Sequence, residues 1–189
     1  FGEHVIYDGF HSVDINSGLM FFQSAKLFKG NLTTFGFDYK TFGGIAENTK
    51  AMNGEGIIFS DTTLNEMAGY ILMQHNYKDK LIANAGVRLE IHSVYGEEWI
   101  PQAGVSYNMT GKTTLKAVLS KGFRAPTIRE LYMWAPANEN LLPEELMNYG
   151  ISWLQGINDK INFELTAFHN KGSNMIKTVM DGGVPKNMN

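Results

Sequence analysis

The residues most capable of chemistry are scattered, and their spacings argue against catalysis. Gly111-Lys112-Thr113 has the ending of a phosphate-binding loop, but the first glycine of that loop would fall at Ser106, and the residues that follow alternate like a strand where the motif needs a helix. A hairpin turn is the better reading. His4, His11, His75, His92 and His169 show no metal-ligand spacing. His92 and His169 both fall near the longer connections, where a ligand would meet them, although a solvated or lumen-facing histidine is the commoner case. Glu97-Glu98 and Glu144-Glu145 resemble acid/base pairs only in one dimension, because neighbouring side chains on a strand point to opposite faces; they read as loop charges. No Ser/His/Asp order suggests a nucleophile. Asn31-Leu32-Thr33 and Asn108-Met109-Thr110 match a glycosylation acceptor but sit in expected short turns, so they read as chance matches. The expectation is a protein that is not an enzyme and that carries no catalytic residue, metal or cofactor.

The chain that must position these groups has 189 residues, no cysteine, a formal net charge of -3, 12% aromatic residues, 20 glycines and only 5 prolines. No disulfide or thiolate site is possible. No basic stripe for nucleic acid is present. There is no apolar run of about 18 residues, which excludes a transmembrane helix but not barrel strands. The first residue is Phe1 and the last segment is polar, and we expect an excerpt of something longer.

Period two dominates. From Leu81 to His92 the odd positions are Leu81, Ala83, Ala85, Val87, Leu89 and Ile91, and the even ones are mostly polar. The same holds for Trp99–Met109, Thr114–Ser120, Met147–Leu154, Ile161–Phe168 and Thr34–Lys40. Leu19–Leu27 and Ala68–Asn76 read as strands with apolar residues on both faces, and a further strand starts near Met175. Short turns at Lys29-Gly30-Asn31, Lys78-Asp79, Thr110-Gly111-Lys112 and Asn158-Asp159 alternate with longer or more irregular connections at Gly43–Thr62, Ser93–Glu98 and Arg124–Glu144, and a short one near Lys171–Asn174. Outer-membrane barrels have this parity, and strands of about ten residues cross the hydrocarbon layer. Tyr39, Phe42, Tyr77, Trp99, Tyr107 and Trp153 near strand ends suit an interfacial girdle. The charges Asp38, Arg88, Glu90, Lys116 and Glu164 fall on the polar faces. They read chiefly as ordinary lumen residues, with a role in ligand transfer the lesser alternative.

Lys121-Gly122-Phe123-Arg124-Ala125-Pro126-Thr127-Ile128-Arg129-Glu130-Leu131-Tyr132, followed by Asn140-Leu141-Leu142-Pro143-Glu144 and Asn148-Tyr149-Gly150, resembles the barrel signature of TonB-dependent outer-membrane receptors. Leu32–Lys40 with Gly43-Gly44, and Ala85–Glu90 followed by Trp99–Gly104, resemble two further strands of that barrel, in the family's order. The wording is closest to receptors of the Bacteroides type. Period two predicts an all-β fold, an antiparallel meander of about eight to nine strands; the resemblance makes it part of a transmembrane barrel of about twenty-two strands in the whole family. It makes residues 1–189 a partial barrel without the plug domain or the remaining strands. It further implies residence in the bacterial outer membrane, contact with its lipid, energy from TonB through a plug, and uptake of a scarce nutrient such as a ferric siderophore, haem or cobalamin. The long loops would form the ligand-capturing rim, with Tyr95, Trp134, Asn138, Glu139 and Asn140 as candidates. Arg124 and Arg129 have two readings, attraction of an anionic ligand or bracing of the loop against the barrel wall, and the second is favoured. Periodicity alone also fits a water-soluble sheet whose apolar faces pack together, without transport, or a small soluble ligand-binding barrel with the faces exchanged.

Overall fold

A computed structural model describes residues 9–50, 56–133 and 136–189. Eight antiparallel strands form one sheet in sequence order: β1 (Phe10–Ala25), β2 (Asn31–Asn48), β3 (Ile57–Tyr77), β4 (Leu81–His92), β5 (Gly96–Thr110), β6 (Thr113–Arg124), β7 (Glu144–Asn158) and β8 (Ile161–Ser173). A short helix α1 (Ile128–Tyr132) lies between β6 and β7, and a separate hairpin, β9 (Lys177–Asp181) and β10 (Val184–Met188), follows β8.

Register makes the sheet two-sided. Phe21 opposes Phe37, Tyr39 opposes Met67, Ile71 opposes Val87, and Ala83 opposes Val105. Val105 opposes Ala117, Ala117 opposes Ile151, and Ile151 opposes Ala167. Directly opposed residues share a face, so away from the register shifts after Ala46, Asn108 and Gly156 the odd-numbered side chains of the eight strands lie on one side and are mostly apolar. That side is open, with Ile151 65% and Leu165 64% exposed. Asp38, Arg88, Glu90, Lys116 and Glu164 are all on the even side. Tyr77, Tyr107 and Trp153 line the short-turn end of the odd face, Trp153 meeting Phe163 edge-on at 5.4 Å. Phe42 departs from the expected girdle and lies on the even side, against His92.

Four expectations need correction. First, β2 and β3 have 18 and 21 residues and take in most of the expected loop at 43–62. Gly43 and Gly44 lie inside β2 at φ +136° and +146°, where a Cβ would stand 2.1 Å from the Thr62 carbonyl oxygen and 1.8 Å from that of Val13. Those glycines let three backbones close up where a loop was expected. Second, β5 begins at Gly96, so the connection after β4 is as tight as the short turns. Third, the strand expected near Met175 is β9, and it pairs with β10 instead of extending the sheet. Fourth, a small closed barrel needs a β1–β8 ladder, whereas those strands are the opposite edges of the sheet.

The short turns are locally determined. Lys78 and Asp79 both have positive φ, the geometry whose twist suits a tight hairpin, and the Asn76 side chain bonds both the backbone and the carboxylate of Asp79. Gly111 and Lys112 form the β5–β6 hairpin turn. Both acceptor-like asparagines are committed to turns: Asn31 is buried and bonds Leu27, Gln74 and Thr33, while Asn108 bonds Asp79 and Thr114.

Candidate functional site

The even face carries a linked set of charges. Arg88 on β4 donates to Asp38 on β2 at 2.5 Å and to Glu90 at 3.0 Å, and its guanidinium lies 5.7 Å from the Tyr70 ring. Tyr70 can lie flat because its neighbour on β2 is glycine. A Cβ at Gly36 would meet the Tyr70 ring carbon Cζ at 2.4 Å. Nearer the long-connection end, Glu66 faces Lys40 and the buried His92, each at 3.8 Å.

That end of the even face is covered by residues 125–133 and 136–143, between β6 and β7, which form a strap that folds inward. Ala46, Ser60, Leu64, Ala68 and His92 are buried there, all even-numbered and all on β2–β4, and α1 packs against β3. Leu131 of α1 and Leu141 further along the strap are each 1% exposed. Burial of these leucines removes apolar surface from water and supplies the main force holding the strap down.

Polar bonds set its angle. Thr127 caps α1 in a reciprocal box, accepting from the Glu130 amide while the Glu130 carboxylate accepts from the Thr127 amide and hydroxyl. Arg124, at the end of β6, grips the same carboxylate with Nη1 at 2.9 Å and Nη2 at 3.2 Å. Its Nε donates to Glu144 at the start of β7, at 2.6 Å. The other oxygen of Glu144 accepts from the Ile176 amide, just before β9. One guanidinium therefore ties two strands, the helix and the hairpin. At this strand end the hydrogen bonds to Glu144 and Glu130 hold Arg124 protonated more firmly than usual. Partial burial would raise the Glu130 carboxyl, but the bonds from Arg124 and Thr127 outweigh it and keep it below the ordinary carboxylate range. The bond from Arg124 does the same for Glu144.

The hairpin is hydrogen-bonded to the strap. The buried Asn187 donates its amide to Pro136, while its own carbonyl accepts from the Asn138 side chain and its side-chain oxygen from Thr178. Asn189 reaches Leu142 in both directions.

Three of the seven expected rim residues, Arg124, Asn138 and Tyr95, have structural work. Arg124 braces the loop. Asn138 is a strap joint, also bonding the Glu130 carbonyl and the Asn140 amide. Tyr95 turns inward, its ring 5.0 Å from His92, its hydroxyl buried without a hydrogen-bond partner and its phenol pushed up to about 12 by burial, reinforced by Tyr132 and Glu130. Glu139 and Asn140 stand exposed on the strap. Trp134 lies outside the described residues. Arg129 lines a cleft of about 690 Å3 between the strap and the tall wall of β1–β3, with Asp14, Lys40, Phe42, Glu66 and Phe123. The paired glutamates are strand-end residues and not loop charges: Glu98 and Glu145 both pair with Lys121. Sequence reasoning missed Thr127 as a cap, although Thr127-x-x-Glu130 carries that signal, and missed His92 as a buried residue beneath the strap, for which a single sequence carries no signal.

Comparison with known proteins gives a consistent result. The family model described as TonB dependent receptor-like, beta-barrel, matches residues 6–188. The vitamin B12 transporter BtuB of Photobacterium profundum is 27% identical over 134 residues, covering 71% of this chain and 22% of that protein. An iron-regulated outer membrane virulence protein of Vibrio cholerae is 28% identical over 123 residues, covering 60% and 19%. Among solved structures, the siderophore receptor PirA from Pseudomonas aeruginosa superposes with a TM-score of 0.77 at 20% identity, covering 94% of this chain and 34% of that one. The chain spans about a fifth of the length of these two curated relatives.

Proposed function

The chain belongs to the TonB-dependent receptor β-barrel family of the bacterial outer membrane, and from that premise we propose that it is a sector of barrel wall in a receptor that takes up a scarce nutrient, such as a ferric siderophore, haem or cobalamin, using energy delivered by TonB through a plug domain. The remaining barrel strands would continue from the edges of β1 and β8. The role is transport and not catalysis. One observation carries the reading: across the eight strands the odd-numbered face is mostly apolar and open, while the even face holds charges and a folded-in strap. A closed barrel satisfies every backbone amide in lipid and places these two faces against hydrocarbon and lumen respectively.

The strap and the cleft beside it make up the ligand-facing part of this sector. Arg129 stands in the cleft, and Glu139 and Asn140 on the exposed strap edge. Arg124 acts through the strap, by positioning it. The relatives divide between a vitamin B12 transporter and iron-linked receptors, so the test compares the two nutrient classes. Cells lacking their own receptors and expressing the intact protein are given labelled cobalamin or a labelled ferric siderophore, with and without functional TonB. Uptake of one of them, lost without TonB, is the expected result. Uptake that persists without TonB would contradict the proposal, as would failure of the protein to accumulate any ferric siderophore, haem or cobalamin.

A further inference from the structure

The short-turn rim differs in charge from the rest of the molecule. Lys26 and Lys29 flank the β1–β2 turn, Lys78 and Lys80 the β3–β4 turn, Lys112 the β5–β6 turn and Lys160 the β7–β8 turn, and all are exposed. The same turns hold only two carboxylates, Asp79 and Asp159. Ion pairs stand instead on Lys40, Arg88, Lys121, Arg124 and two histidines, toward the opposite rim. The lysines are interleaved with exposed apolar side chains: Leu27 and Phe28 beside Lys26 and Lys29, Tyr77 beside Lys78, and Ile157 near Lys160.

Two of the lysines show which way they lean. Lys78 Nζ lies 5.2 Å from the Tyr77 ring and Lys80 Nζ 5.9 Å from the Tyr107 ring. Tyr77 and Tyr107 belong to the odd face, so these ammonium groups stand on the outside of the wall, over the aromatic girdle, and not over the lumen. A partner held in the barrel axis would draw them the other way. An ammonium above an interfacial aromatic, with its stem along apolar surface, sits at the depth of lipid phosphates.

We propose that this rim is a binding surface for the anionic phospholipid headgroups of the leaflet that the short turns face, which in this architecture is the periplasmic one. The proposal rests on the reading that the odd face meets lipid. Six lysines spread over four turns fit a ring of separate lipid phosphates better than one compact acidic partner. Binding to such a surface weakens with salt, because the headgroup field is screened within a Debye length.

The test reconstitutes the intact protein in phosphatidylcholine vesicles and compares spin-labelled phosphatidylglycerol with spin-labelled phosphatidylcholine in the immobilised shell around the protein. At low salt the anionic lipid should be preferred, by about fivefold for each lysine at a headgroup. The preference should approach parity at high salt, and also in a variant carrying Lys26→Gln, Lys29→Gln, Lys78→Gln, Lys80→Gln, Lys112→Gln and Lys160→Gln. In parallel, a fluorophore on Val105→Cys reports quenching by brominated acyl chains in both proteins. A preference that survives the six substitutions, or no preference in the parent protein, overturns the lipid-rim proposal while quenching at Val105 persists. Loss of quenching in the parent protein overturns the lipid-facing assignment beneath it.

Discussion

The two faces of this wall obey different rules, although they share the same backbone. The outer face is a repeated pattern. Away from three register shifts, each odd position meets another odd position on the next strand, and on the lipid-facing reading almost any apolar residue serves, since hydrocarbon demands only the absence of unsatisfied polar groups. The inner face is specific. Arg88 needs Asp38 and Glu90, Tyr70 needs the bare backbone of Gly36, and Leu131 is buried where α1 packs against β3. Substitutions should therefore be judged by polarity outside and by partner inside.

The largest contrast comes from charge. Val87→Arg or Ile151→Arg on the outer face should cost about 2–4 kcal/mol at mid-depth, whereas Thr166→Arg, one position from Leu165 but on the inner face, should cost far less. Urea titration of the receptor refolded into vesicles measures both. Equal losses at both faces would erase the distinction.

Next in size, Leu131→Ala should weaken docking of the strap by about 2–4 kcal/mol while the sheet stays intact. Amide exchange confined to residues 125–142 would show it. Spread of the faster exchange into β3 and β4 would mean that strap and wall are one cooperative unit.

Gly36→Val should cost about 1–3 kcal/mol, because the Tyr70 ring must leave its place and an adjacent backbone oxygen is also close. Pairing the change with Tyr70→Ala should recover part of the loss, and a double-mutant cycle on refolding free energies measures the coupling.

The smallest effect is on the bracing salt links. Arg124 is 44% exposed, so solvent screens it, and Arg124→Gln should loosen the strap by about 1 kcal/mol or less. The sign with pH follows from the lowered carboxyls of Glu130 and Glu144. Their contribution is complete above the unfolded glutamate value of about 4.3, and it disappears as pH falls through their depressed folded values. Strap proteolysis in parent protein should rise with acid over that window, and the Arg124→Gln variant should respond less.

The same division explains what the sequence disclosed. β4 was legible to the residue, Leu81–His92, because its inner face is polar along most of its length and period two is clean. β1 to β3 were blurred. On β2 and β3 the strap makes part of the inner face apolar as well, at Ala46, Leu64 and Ala68, so alternation fades there and the Gly43-Gly44 pair reads as a loop. Arg124 as a brace was anticipated. The placement of Tyr95 and Asn138 was not, because inward folding of the strap depends on contacts between segments far apart in sequence, and on a hairpin whose β-propensity carries no sign of what it docks against. Thr127 was legible in principle, since its capping partner lies three residues on.

The claim on which all this depends is that odd-numbered side chains touch hydrocarbon. The chain has no native cysteine, so single cysteines can be placed along β4 at Ala83, Asn84, Ala85, Gly86, Val87 and Arg88 in the reconstituted receptor and labelled with a fluorophore. Brominated lipid should quench residues 83, 85 and 87 strongly, while an aqueous quencher should act on 84, 86 and 88. Lipid quenching that ignores parity, or that favours the even positions, would contradict the account.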